Sequence, residues 1–159
     1  MVEMTLVGVR VELPANQPIV LLKEAQGERY LPIWIGAAEA TAIALAMQGV
    51  TPMRPMTHDL FKNVLDELRV ALEKIEITEL QEGTFYAMLH LQRNGSSHEV
   101  SSRPSDAIAL AVRTGVPIFA SEDVLEAAAV EIREDDAEEE VERFKQFLDE
   151  VTPEDFAEE

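Results

Sequence analysis

Two short segments of this chain carry the same set of reactive residue types. Arg54-Pro55-Met56-Thr57-His58-Asp59-Leu60 and Ser102-Arg103-Pro104-Ser105-Asp106-Ala107-Ile108 each set an Arg-Pro pair ahead of a hydroxyl residue and an aspartate. Each then runs into an apolar helical pattern. Proline followed by Ser/Thr and Asp is the sequence signature of a helix start, whose unpaired N–H groups and positive dipole end can receive an anion. The arginine beside each start adds a planar fork that fits phosphate or carboxylate. If both starts face one cleft, it gathers Arg54, Arg103, Asp59, Asp106 and His58.

A site that binds an anion in this way could serve its hydrolysis, which needs an activated water, charge stabilisation on the anion's oxygens and an acid for the leaving group. Carboxylates holding Mg²⁺ or Mn²⁺ would supply the first two. Asp59 and Asp106 are the candidate ligands, and Glu39, at the start of another apolar helix, is a third catalytic candidate. His58 titrates near working pH and is the candidate base. Arg54, Arg103 and Ser105 are the candidate phosphate-binding residues. The chain has no cysteine and three histidines, so a thiolate or structural zinc site is not expected.

Each residue also has a structural reading. Thr57, Ser105 and Ser102 are expected to be helix caps rather than nucleophiles. Asp59 and Asp106 complement a helix dipole with or without a metal, and Arg54 and Arg103 can pair with those aspartates. The His58 ring can pack at the edge of an apolar face, and Glu39 can cap or salt-bridge. His90 and His98 read as surface or structural. Trp34, between Ile33 and Ile35, is expected in the core rather than as a base-stacking platform.

The elements that must position these groups follow from periodicity. Residues 2–13, 18–22 and 29–35 read as three strands joined by short turns, an antiparallel meander. A helix from Ala37 to Gln48, closed by Gly49, has almost no polar face. The helix at Thr57 carries Leu60, Phe61, Val64, Leu65 and Leu68 on one face. Strands at 70–80, 84–93 and up to Ser101 precede an apolar helix over Pro104–Arg113, stopped by Gly115. A short strand at 116–120 leads to a helix capped by Ser121. The expectation is an α+β fold: a mixed sheet with an antiparallel N-terminal meander packed by apolar helices, plus an acidic C-terminal helix. Residues 1–130 form the expected domain, and 131–159 an acidic linker and amphipathic helix.

The formal charge is −18 over 159 residues, but residues 122–159 hold 17 acids and 3 bases against 14 and 10 in the remainder. The body is therefore only mildly acidic and has no basic stripe. Nucleic-acid binding is expected to be weak and salt-sensitive. No apolar run reaches the roughly 20 residues that span a bilayer, and Glu3 and Arg10 argue against a signal peptide, so the expected location is cytoplasmic with no membrane partner.

Pro32-Ile33-Trp34-Ile35-Gly36 with Glu39-Ala40, Arg54-Pro55 with Thr57-His58-Asp59-Leu60, and the run from Ser102 to Ala111 together resemble the bifunctional nuclease domain family. These are bacterial and plant proteins described as cutting both DNA and RNA. The resemblance covers about residues 3–130 and implies an α+β fold, homo-oligomerisation, a dimer in the simplest case, and nuclease activity. The rival expectation is a non-catalytic regulatory or assembly module, with structural Arg/Asp helix starts and an acidic tail that binds a basic protein partner. An enzyme acting on small phosphates is a weaker third, since no Gly-rich phosphate loop is present.

Overall fold

A computed structural model describes residues 1–12 and 16–131; the expected acidic linker and C-terminal helix lie outside that range. The described chain runs β1 (Val2–Glu12), β2 (Gln17–Glu24), β3 (Arg29–Trp34), α1 (Ala37–Met47), α2 (Thr57–Glu67), β4 (Ala71–Gln81), β5 (Thr84–Arg93), β6 (Ser96–Ser102), α3 (Pro104–Thr114), β7 (Ile118–Ala120), α4 (Glu122–Ala128) and β8 (Val130–Glu131). This is the expected α+β fold.

The strands form one mixed sheet in the order β6-β5-β4-β7-β1-β2-β3-β8. The meander β1-β2-β3 is antiparallel, with Val20 opposite Val9 on one side and Ile33 on the other. The pairing of β7 with β4 is parallel, whereas β7 meets β1 antiparallel. Only two residues long, β8 pairs Val130 with Tyr30 at the edge; so short a segment carries no readable periodicity.

Helix α1 is buried from Ala40 through Leu45, as its lack of a polar face requires. Helix α3 is buried at Pro104, Ser105 and from Ala107 to Ala111, and packs against α1, β4 and β5. The expected glycine stops hold: Gly49 and Gly115 take φ of +70° and +77°, where an L side chain is strained. Val9, Leu22, Leu31, Ile43, Ile75, Ile77, Ile108 and Leu125 are sealed in the one large core cluster. Arg29 ties α4 to the meander by reaching Glu122 at 2.8 Å and Glu24 at 2.7 Å.

The expected burial of Trp34 fails, and the apolar face of α2 is largely uncovered. On α2 only Leu65 is buried; Leu60, Phe61, Val64 and Leu68 are exposed, because α2 packs chiefly against α3, with a lesser contact to β4, and these leave most of its apolar face uncovered. Trp34 is 53% exposed, while Ile33 and Ile35 are buried. Alternate residues of a strand point to opposite faces, and at the end of β3 only the face of Ile33 and Ile35 is covered, so the Ile-Trp-Ile run buries its ends and exposes its middle.

The sheet is strongly curled. Trp34 on β3 and the β4–β5 turn line one cleft, although β3 and β4 stand four strands apart in the sheet order. On a flat sheet that separation is about 19 Å. Curling brings the end of β3, the start of α1, the start of α3 and the β4–β5 turn to one mouth.

Candidate active site

The two helix starts do meet, but their parts are exchanged. His58 Nε2, in the first turn of α2, lies 2.8 Å from Asp106 Oδ1 in the first turn of α3. Arg103, the residue before α3, donates from Nε to Asp106 Oδ2 at 2.8 Å and from an Nη to Oδ1 at 3.1 Å. Its other Nη lies 3.0 Å from Glu39 Oε1. Glu39, His58, Arg103 and Asp106 thus form one connected cluster drawn from three helices. Arg103 is exposed at its rim, and the His58 side chain is only 15% exposed.

Asp59 belongs to a second arrangement. Its Oδ1 accepts from Arg113 Nε at 2.8 Å, and its Oδ2 accepts from the Met56 backbone N–H at 3.0 Å. Arg113 is nearly buried and also donates to the carbonyls of Ala42 and Ala109 at 3.0 and 2.9 Å. It therefore clamps α1, α2 and α3 together. The expected pairing of Arg54 with Asp59 does not form. Arg54 is exposed and makes no ion pair or hydrogen bond to another described residue. The sequence reading missed Arg113 altogether, although a lone charge in the last turn of an otherwise apolar helix was a signal that it needed a buried partner.

The expected caps are corrected as well. Thr57 is already the first helical residue of α2, so the capping falls to Asp59, whose carboxylate takes the Met56 N–H. Pro104 opens α3 and makes Arg103 the N-cap, which leaves Ser105 too far inside to cap. The Ser102 hydroxyl donates to the Arg103 carbonyl instead. Ser121 does cap α4, accepting from the Val124 N–H. His90 Nε2 stands 3.0 Å from Glu76 Oε1 without hydrogen-bond alignment, and His98 is exposed; both lie on the β5–β6 side of the sheet.

Burial opposes ionisation of Asp106, but the hydrogen bonds from Arg103 and His58 outweigh it, and the carboxyl titrates below its usual range. The same balance holds at Asp59, where burial is outweighed by Arg113 and the Met56 N–H. Arg103 is held the more firmly protonated by Asp106 and, less strongly, by Glu39.

These contacts bear on the expected Mg²⁺ or Mn²⁺ site at Asp59 and Asp106. Both oxygens of each carboxylate already accept from a guanidinium, an imidazole or a backbone N–H. Among the described residues no group of three or more His, Asp or Glu is placed to hold a metal ion. A cation bridging the two aspartates would have to displace Arg103 or Arg113, so this donor set does not fit it.

A cleft of about 300 Å³ opens beside the cluster. Arg103, Pro104 and Ser105 form one wall, and Trp34, Ile35 and Gly36 another. Gly36 is the N-cap of α1 and Arg103 that of α3, and neither helix start has a side-chain cap. Two sets of unpaired N–H groups therefore border the cleft. A side chain at position 36 would collide with the Glu39 carboxylate, which folds back over this turn.

The cluster and the cleft lie in a region shared with known proteins. The Bifunctional nuclease domain family matches residues 20–133, which include every residue of the cluster and all but Gln17 of the cleft. An uncharacterised protein of Mycobacterium tuberculosis is 52% identical over 162 residues, covering 97% of both chains. Bifunctional nuclease 1 of Arabidopsis thaliana is 31% identical over 108 residues, 65% of this chain and 33% of that protein. Bifunctional nuclease 2 of Oryza sativa subsp. japonica is 30% identical over 115 residues, 70% of this chain and 35% of that protein. No helix among the described residues is long and apolar enough to cross a membrane. With its two paired helix starts and the cleft beside them inside the matched region, the chain belongs to the bifunctional nuclease domain family.

Proposed function

We propose that this protein is a nuclease that hydrolyses DNA and RNA phosphodiesters with little sequence preference, and that Arg103, Asp106 and His58 carry the reaction. The observation that carries this is the 2.8 Å contact between His58 Nε2 and Asp106 Oδ1 beside an arginine at the rim of a cleft. An ionised Asp106 can only accept, so Nε2 carries the ring proton and, in the neutral ring, Nδ1 keeps its lone pair. Asp106 thereby fixes the tautomer of His58 and stabilises the imidazolium that forms when Nδ1 takes a proton from the attacking water, a proton that then passes to the leaving oxygen as its bond to phosphorus breaks. Arg103 and the unpaired N–H groups at the start of α3 face the developing phosphoryl charge. Glu39 holds Arg103 in place, and Asp59 is structural. No step is assigned to a metal ion.

The test is release of acid-soluble nucleotides from single-stranded DNA and RNA in Mg²⁺, in Mn²⁺ and in chelator, comparing wild type with Asp106→Asn and Arg103→Ala. Loss of cleavage in both variants supports the assignment. Cleavage that survives in Asp106→Asn, or that elutes apart from the protein, defeats it.

Self-association forms part of the same proposal. Leu60, Phe61, Val64 and Leu68 form an exposed row on α2, with exposed Met53 and Met56 before it. A two-fold pairing lays such a row against its own copy and removes both from water.

The non-catalytic alternative has one observation in its favour: Asp59 and Arg113 are already spent on each other. An inert full-length protein whose Arg113 variants unfold would favour that module.

A further inference from the structure

The exposed indole and an unpartnered hydroxyl share the cleft beside the catalytic cluster. We propose that this cleft is a subsite for a nucleotide with an unpaired base, the base stacking on Trp34 and its phosphate held by the Ser105 hydroxyl and the start of α3, so that the substrate is single-stranded. This rests on the nuclease reading for its biological meaning, but not for its geometry.

Three observations support it. Trp34 is 53% exposed on the cleft wall, next to buried Ile33 and Ile35 that fix the strand under it. An indole left in water at the edge of a concave site is a stacking surface. Ser105 lines the same cleft and is 5% exposed, yet its hydroxyl has no hydrogen-bond partner among the described residues. Two N–H groups lie free beside it, since α3 has no side-chain cap and its first intrahelical bond runs from Ala107 to Arg103. An unpartnered hydroxyl on a largely buried residue and uncapped amides form a site for an oxyanion.

The charge balance decides between strand types. Arg103 is matched against both Asp106 and Glu39, so the cluster has no surplus positive charge. A duplex is held chiefly by neutralising phosphates, and its base faces stay covered by their neighbours. A single strand offers a bare π face that needs no net charge to bind. At about 300 Å³ the cleft is at the small end of ligand pockets and suits one nucleotide unit.

Trp34 is the chain's one tryptophan, so its fluorescence reports this site alone. The experiment titrates the full chain with an uncleavable phosphorothioate decamer, the same sequence as a duplex, a mononucleotide, and inorganic tripolyphosphate. Quenching by the single strand and by the mononucleotide, with little by the duplex or by tripolyphosphate, supports the proposal. Equal quenching by the duplex or by tripolyphosphate overturns it. Fluorescence anisotropy of a labelled decamer then compares variants. Trp34→Ala is expected to weaken binding about 5- to 100-fold, and Trp34→Phe to restore most of it. Unchanged affinity in Trp34→Ala overturns the subsite even if the protein cleaves nucleic acid. Trp34-dependent binding without cleavage keeps the subsite and removes the nuclease reading.

Discussion

Arg113 Nε lies 2.8 Å from Asp59 Oδ1, across 54 residues of chain. The guanidinium that answers the first Arg-Pro motif therefore comes not from Arg54 beside it but from the far end of α3. The two look-alike helix starts consequently do different work. Asp59 is spent inward on Arg113, while Asp106 is shared between exposed Arg103 and His58.

Arg113→Met is expected to destabilise the fold by about 3 kcal/mol, because it leaves Asp59 and the Ala42 carbonyl without their donor. Urea unfolding measures it, and a double-mutant cycle with Asp59→Asn should return a coupling of at least about 1 kcal/mol. Strict additivity of the two substitutions would show that the clamp is idle.

His58→Ala is expected to lower cleavage about 10²- to 10⁴-fold, the usual worth of a positioned acid–base group. Because the His58 ring is not sealed in the core, its unfolding midpoint should move little in comparison with Arg113→Met. A variant that cuts at the wild-type rate removes His58 from the chemistry.

Acid should expose the two aspartates. Both titrate below their ordinary value in the fold, whereas the unfolded chain binds protons near pH 3.9. A lowered folded pKa means stability that is fully present above the unfolded value and lost as pH falls through the folded one. Stability measured between pH 7 and pH 2.5 should therefore drop less steeply in Asp59→Asn than in wild type. Identical slopes would mean that the carboxylate gains nothing from Arg113.

Arg54 and Arg103 separate binding from chemistry. Exposed and unpaired among the described residues, Arg54 can act only as a solvated charge toward the polynucleotide. Arg54→Ala should leave stability within about 0.5 kcal/mol and reduce the slope of log affinity against log salt by about one. Should the salt slope stay put, Arg54 touches no phosphate.

Phe61→Glu places a charge in the middle of the exposed α2 row. Sedimentation at micromolar concentration should show the wild type as an oligomer and the variant as one chain. A wild type sedimenting at the mass of a single chain would end the self-association proposal.

The sequence by itself determined the elements and the two helix starts, because those depend on local patterns: alternation along the strands, the apolar runs of α1 and α3, and glycine at the positive-φ stops Gly49 and Gly115. It also marked His58, Asp106 and Arg103, whose residue types carry chemistry wherever they sit. Pairing across distance was not legible. That Arg113 rather than Arg54 answers Asp59 depends on how α2 crosses α3, and no local pattern encodes it. The exposure of Trp34 and of the α2 row was decided the same way, by which faces the curled sheet and its helices leave uncovered. Periodicity shows that a face is apolar, and only tertiary packing decides whether anything lies against it.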